Sequence, residues 1–450
     1  MGRGIVSAQL SRFGEIGKRI EESAAGKRRE GFNLTYEIAD AIKNAFGIFL
    51  FQHLSMLSYQ ESLDRGNQRK NAENILKVKE IPCNNQITRL IDEVKPEEFD
   101  ENFKDGIGLA EKYGVFEQYK VLDGGVLIAL DGVWFQSSEK VYCPHCLYIT
   151  KGGKKTYYHS MVAAVLVRPG GEVVLPLAPE MIRNEDTRGN DKNDDAEPVQ
   201  KSYEKQKQDC ERTAAKRLLE KHGAYYKELK ATLLGDDLYA NHNTCKAVLD
   251  SGLSFIFTCK DDSHPWIAEQ FKYSTPETLI RVVWTGKKHL EYRYTWVNGL
   301  ENRADGEKLR VQYLYFELYA QETGKTVYKN SWITDKTITK DNVGLLVDCG
   351  RARWKIENEN NNVLKNYGYH LEHNFGHGEN HACEIYGVLN LLAFFVHGLM
   401  ILCDENFIKA RSYFGRRDEF YNALRTFFWA FEFQSWEDFL SFVISHAKGG

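Results

Sequence analysis

The stretch that decides the fold is "VLIALDGVWFQSS", Val126 to Ser138. An Asp-Gly pair between two apolar runs is the strongest short signal for a two-residue hairpin, because both residues tolerate positive φ. Read that way, Asp131 is only a turn residue. Read as a continuous strand, the same segment carries a lone carboxylate in the middle of an apolar sheet, where an unpaired charge is expensive. The flanking sequence favours the strand. A turn at Asp131-Gly132 would pair "VWFQSS" back onto "VLIAL" and leave "YYHSMVAAVLV", the longest apolar run nearby, without a sequential partner. The segment "CPHCLYITKGGKKT", with its Pro, Gly and Lys residues, is better equipped to turn. We therefore expect one long strand with Asp131 in its middle and Gly132 allowing a kink.

Working outward, "YYHSMVAAVLVRP" and "EVVLPLAPEMI" complete a three-stranded antiparallel meander. The polar "RNEDTRGNDKNDDAEP" reads as a mobile loop. A helix in "QKSYEKQKQDCERTAAKRLLEKHG", a short strand in "ATLLGDDLY", a helix in "HNTCKAVLDSG" and a buried strand in "LSFIFTCK" follow. The order β-β-β-α-β-α-β predicts a mixed five-stranded sheet with helical crossovers. Leu279 to Trp332 then alternates like further strands, an inserted β-rich subdomain, before "GRARWKIENENNNVLKNYG" supplies a charged helix.

The ends of the chain read as helical. "LTYEIADAIKNAFGIFLFQHLSML" has apolar residues at three- and four-residue spacing, and "LDRGNQRKNAENILKVKEIP" is a basic connector compatible with DNA binding. From His381 the chain is helical and rich in Phe and Trp. The apolar run Ile385 to Cys403 is long enough to span a bilayer, but Asn390 and His397 interrupt it and no basic flank follows, so a buried core helix is expected and no membrane partner. The division is a helical, DNA-binding region over 1–120, a first core part over 121–260, the insertion over 261–345, the Glu-bearing helix over 346–380 and a helical region over 381–450.

Across 450 residues, 27% charged side chains and a net charge of -4 exclude a uniformly basic protein, yet phosphate binding needs only local Lys/Arg stripes. Nine scattered cysteines, an odd number without framework spacing, point to reduced thiols in a cytosol.

A carboxylate inside a strand needs a reason. "ATLLGDD" ends in Asp236 and Asp237, and in a sheet of this order the first and fourth strands are neighbours. Asp131 and Asp236 would then lie close together, which a divalent cation between them makes tolerable. Glu357 on the charged helix is the third ligand; Asp237 and Glu359 are the alternatives. Hard oxygen donors suit Mg2+ or Mn2+, and two such ions can drive an in-line phosphoryl displacement. Arg353, four residues before Glu357 and on the same helix face, is placed to hold a phosphate.

Together, "LDGVWFQSS", "LLGDDLYA" and "RARWKIENENN…LK" resemble the three acidic motifs of bacterial insertion-sequence DDE transposases, in the insertion-sequence-4-like branch. The resemblance covers about Val121 to Trp436. It implies an RNase H-like catalytic core with a β-rich insertion, and Asp131, Asp236 and Glu357 as catalytic ligands of two Mg2+ or Mn2+ ions. It implies cut-and-paste transposition: water activated at the metals nicks the transposon end, and the freed 3′ hydroxyl attacks, in this branch often through a hairpin. The implied partners are double-stranded DNA, transposon ends and target, and a second copy of the chain in a homodimer on DNA, in the bacterial cytoplasm at the nucleoid. Arg353 and Lys365 carry over as DNA contacts. The branch's Tyr three residues before the Arg is Gly350 here, and its Lys seven residues after the Glu is Leu364, with Lys365 one place later. An insertion-domain Trp that stacks on an unpaired base has three counterparts, Trp284, Trp296 and Trp332. A catalytically inactive DNA-binding relative and an RNase H-like nuclease that does not join ends are the alternatives.

Cys143 and Cys146 form a single C-x-x-C, half of a structural zinc site that His159 and Cys210 would complete. "HNFGHGENH" spaces His373, His377 and His381 four apart, but its glycines oppose a helix, and a polar loop near the DNA is expected rather than a further metal site.

Overall fold

Asp131 lies inside an unbroken strand. In the computed structural model, which describes residues 4–28, 36–183 and 210–447, β1 (Leu127–Ser138) passes through Asp131 and Gly132 without a turn. It pairs antiparallel with β3 (Lys154–Val167): Asp131 faces Ala163 and Gly132 faces Val162. The irregularity comes later, where the register shifts between Phe135 and Ser137 and Gln136 adopts a φ of 44°. The kink expected at Gly132 thus sits at Gln136.

The turn-rich segment supplies a strand of its own, β2 (Leu147–Lys151), a hairpin partner of β3. The third meander strand is broken into β4 (Leu175–Pro176) and β5 (Glu180–Ile182), both on β3. Pro176 and Pro179 explain the break, since proline cannot donate to a ladder. Most of the polar loop, and the first half of the helix expected after it, lie outside the described residues; that helix is described over Glu211–Glu228.

Next come β6 (Thr232–Gly235) and β7 (Ser254–Thr258), joined by the helix His242–Asp250. β6 runs parallel to β1, with Leu127 opposite Thr232 and Ala129 opposite Leu234. Asp131 lies two residues past the last position of β1 paired with β6, and Asp236 just past the end of β6 in a turn where its Oδ1 accepts from the Leu238 amide at 2.9 Å. β7 is parallel to β6.

The remaining strands are β8 (Glu277–Trp284), β9 (His289–Glu301), β10 (Arg310–Ala320) and β11 (Lys325–Thr334). A helix, Pro265–Tyr273, precedes them. The sheet is larger than the five strands expected. β11 pairs antiparallel with β7, Ile333 facing Phe257, so one sheet of eleven strands runs in the order β2-β3-β1-β6-β7-β11-β10-β9-β8, with β4 and β5 also on β3. The strand nearest the core is the last of the four in sequence, because only β11 returns to the free edge of β7.

Helices from both ends of the chain interlock. The basic connector is largely helical and packed: Asn71 Nδ2 donates to the carbonyls of Phe428 and Phe431 at 2.6 and 2.7 Å, and Lys70 pairs with Glu432 at 3.1 Å. The helix Ala382–Cys403 is long and apolar enough to cross a membrane by length and composition, yet 89% of its most apolar window is buried inside the protein. Its polar interruptions find partners there, except that Asn390 Oδ1 is buried with none among the described residues. Asn390 donates to the Tyr369 carbonyl at 2.7 Å, and His397 sits 2.6 Å from the Tyr369 hydroxyl and 3.0 Å from the Leu50 carbonyl.

Candidate active site

Successive side chains of a strand point to opposite faces. Phe135 lies against Gly387 of the long apolar helix, so Asp131, Val133 and Phe135 face that side. Leu130 and Gly132 face the helix Glu211–Glu228.

The Glu-bearing segment follows the helix Val343–Ala352, and its hydrogen bonding widens to a π-turn over Ile356–Asn361. π-Bulges recur at functional sites because they shift side chains around the helix axis. Asn361 Nδ2 donates to Asp131 Oδ2 at 2.8 Å, which joins this segment to the central strand. Arg353 Nη2 meets Glu357 Oε1 at 2.5 Å, the four-residue pair read from the sequence. The other guanidinium nitrogen, Nη1, is buried with no hydrogen-bond partner among the described residues.

Burial pushes the Asp131 carboxyl up to about 7; the charges of Glu211, Glu357 and Asp236 act in the same direction and that of Arg353 against it. Glu211, Glu357 and Asp236 are therefore each within electrostatic reach of Asp131. Asp237 turns elsewhere: its Oδ1 accepts from the Lys260 amide at 2.7 Å and lies 3.3 Å from His264 Nε2. Glu359 is not among the charges that act most on Asp131. Lys365 pairs with Glu372 at 2.8 Å, while Leu364 beside it is buried.

Glu211 is the acidic residue that sequence reasoning missed. It opens the helix Glu211–Glu228, and the only signal for it was an acid at a helix start. Its Oε2 occupies the space over Gly132: a Cβ built there would lie 2.3 Å from it. Gly132 therefore admits a carboxylate rather than a kink. Burial raises the Glu211 carboxyl and the charge of Asp236 adds to that, while hydrogen bonds from the Tyr239 hydroxyl, 2.8 Å away, and the Gly132 backbone oppose it.

Asp131, with Glu211, Glu357 and Asp236 as its acidic neighbours, offers oxygen donors of the kind a hard divalent cation takes. Among the described residues these carboxylates are not gathered to ligand spacing. Among the described residues the group whose ligand atoms all lie within 4.8 Å of one another is Cys143, Cys146, His159 and His377, all buried. His377 takes the place expected of Cys210, which is exposed beside Thr213 at the start of the Glu211 helix. The "HNFGHGENH" segment is indeed not helical, but His377 turns inward instead of lining a polar surface, and His381 stacks on His145 at 5.1 Å.

Two of the three tryptophans named as base-stacking positions are core residues: Trp296 and Trp332 are fully buried, and only Trp284, 56% exposed, is open to a ligand. Trp332 also accounts for Gly350, where a Cβ would lie 2.8 Å from the indole.

No family model matches the chain, and no curated protein matches it. Among solved structures, the cryo-EM structure of a piggyBac transposase synaptic complex with hairpin DNA aligns over 97% of this chain and 82% of that one, at 14% identity and a TM-score of 0.38.

Proposed function

We propose that the protein is a divalent-metal-dependent phosphoryltransferase acting on DNA, built on an RNase H-like core. More particularly, we infer a DDE transposase of the insertion-sequence-4-like branch, which cleaves and joins DNA at transposon ends. What supports this reading is that Glu357, from a distant helix, and Asp236, just past the end of the parallel neighbour of β1, both act electrostatically on Asp131. The RNase H-like assignment is supported by the order of β3, β1, β6 and β7, with β1, β6 and β7 parallel and the first acid on the central strand.

Asp131, Asp236 and Glu357 would hold Mg2+ or Mn2+, with Glu211 a further oxygen donor beside them. Bound ions supply Lewis acidity to the attacking and leaving oxygens. Attack of water on a phosphodiester breaks the P–O3′ bond and leaves a 3′ hydroxyl and a 5′ phosphate. That hydroxyl then attacks a second phosphodiester, forming a new P–O3′ bond as the P–O3′ bond already there breaks and releases its own 3′ hydroxyl. Arg353 holds Glu357 in the site, and its unpaired Nη1 is a donor for a phosphate oxygen. Lys365 becomes a second phosphate contact once it leaves Glu372. The substrate is double-stranded DNA, the working form a homodimer on the paired ends, and the compartment the bacterial cytoplasm.

The test is cleavage and joining of labelled DNA carrying the sequences that flank the gene, with Mg2+ or Mn2+. Asp131→Ala, Asp236→Ala and Glu357→Ala should each abolish both steps and leave DNA binding intact. Unimpaired cleavage by all three would overturn the assignment; cleavage without joining would make the protein a nuclease, and binding without cleavage by the unaltered chain an inactive relative.

A further inference from the structure

We propose that Cys143, Cys146, His159 and His377 hold one structural zinc ion, at a site separate from the carboxylates. The distances fit a tetrahedron. With Zn–S bonds of about 2.3 Å and Zn–N bonds of about 2.0–2.1 Å, its edges are about 3.8 Å between sulfurs and about 3.5 Å from sulfur to nitrogen. Here Cys143 Sγ and Cys146 Sγ are 3.8 Å apart; His159 Nε2 lies 3.4 and 3.3 Å from them, and His377 Nε2 lies 3.4 Å from Cys146 Sγ. The sulfur separation is nearly twice a disulfide bond of about 2.05 Å. Thiols are weak donors, so hydrogen bonds among the four groups hold them together only loosely. A cation at the centre turns every contact into an edge of its coordination shell.

The surroundings are built to orient the ligands. "CPHC" forms a knuckle in which the Cys146 amide donates to the Cys143 carbonyl at 3.2 Å and the Cys143 amide points at Cys146 Sγ, 3.4 Å away. His377 turns Nε2 to the cluster and Nδ1 to the Gln136 amide at 3.2 Å. Gln136 is the residue at the β1 irregularity with φ of 44°, a conformation that costs energy unless its neighbours require it. Its side chain also meets Asn374 Oδ1 at 2.6 Å and accepts from Cys383 Sγ at 2.7 Å. The Gln136 side chain thus packs against the His377 ring and limits how it can turn.

Two thiolates and two imidazoles in a closed, buried tetrahedron select zinc over the hard cations of the carboxylate site and leave no position open for substrate. The ion ties the knuckle before β2 and His159 on β3 to the loop that leaves the Glu357 segment. That loop is anchored at its far end by Asp92, which accepts from the Asn380, His381 and Ala382 amides at 3.0, 2.9 and 2.8 Å. Zinc would therefore fix the chain on both sides of the carboxylate site without touching it.

The experiment is elemental analysis of the full chain purified from zinc-supplemented medium, with X-ray absorption at the zinc edge. One zinc per chain with a shell of two sulfurs and two nitrogens is expected, falling away in Cys146→Ser and His377→Ala but retained in Cys383→Ser and Asp131→Asn. Should the ligand variants fail to fold, the unaltered protein still reports: mercurial titration of its thiols should release the ion to a chromogenic chelator, and zinc stripping should lower Tm reversibly. Zinc well below stoichiometry in the unaltered protein, a shell of oxygens, or full zinc in folded His377→Ala would overturn the proposal. Because Asp131→Asn separates the two sites, loss of DNA cleavage there with zinc retained distinguishes failure of one reading from failure of the other.

Discussion

Replacing Asp131 by Asn should stabilise the metal-free protein at high pH while abolishing cleavage. Asp131 rises from 3.8 in an unfolded chain to about 7 when folded. Because the folded carboxyl is the weaker acid, the native state binds more protons between those values, and stability falls as pH rises through that window. Ionising Asp131 then costs the fold about 4 kcal/mol at pH 8 but only about 0.6 kcal/mol at pH 4, from about 1.4 kcal/mol per pKa unit. Rearrangement toward solvent takes part of this back, so a gain of about 2–4 kcal/mol is expected for Asp131→Asn at pH 8. Asn keeps the shape and can still meet Asn361, which donates to Asp131 Oδ2. The assay is thermal unfolding of both proteins in EDTA at a series of pH values. The Tm difference should grow from near zero at pH 4 to a plateau above pH 7, and Mg2+ should raise the Tm of the unaltered protein more than that of the variant. An Asn variant that loses Tm equally at every pH would refute the idea that Asp131 is a carboxylate strained by burial and by its acidic neighbours.

Gly132→Ala should lose most cleavage activity and cost about 1–3 kcal/mol, since its Cβ would displace Glu211 Oε2; a denaturant titration alongside the cleavage assay checks both. Glu211→Gln should reduce Mg2+-dependent cleavage by more than tenfold without loss of Tm, and unaltered kinetics would remove it from the site. Trp296→Ala should destabilise the fold by about 3–5 kcal/mol, whereas Trp284→Ala should leave Tm unchanged and weaken binding to DNA with an unpaired end base, read by fluorescence anisotropy. Gly350→Ala should cost about 1–3 kcal/mol through the Trp332 indole, with chemical denaturation as the measure.

Much of the sheet was legible because strand pattern and partner counting are local matters. The apolar run of β3 needs a neighbour, and that need alone made β1 continuous and put Asp131 in mid-strand. The acids of β1 and β6 followed from strand order. What stayed hidden has a common cause. Glu211 is an ordinary helix-start acid until the missing side chain of Gly132 lets it in. His377 lies 231 residues from Cys146 in the chain, and no spacing rule reaches that far. Cys210 and His377 offer the same chemistry on paper; only the path of the chain after Glu357 brings one of them to the knuckle. Likewise Trp284, Trp296 and Trp332 are equivalent as letters, and burial against the sheet separates them.

By itself, then, the order of residues determined most of the strands, the neighbourhood of β1 and β6, and the acidic and basic residues of a kind that handles phosphate, because periodicity and pairing act over short distances. The tertiary structure decided which groups share a space: an Asp131 whose proton affinity is raised by burial and by three acidic neighbours, and two cysteines with two histidines at zinc spacing. Charge repulsion and metal coordination act through a few ångströms of space, whatever the separation along the chain, and only the folded arrangement sets those distances.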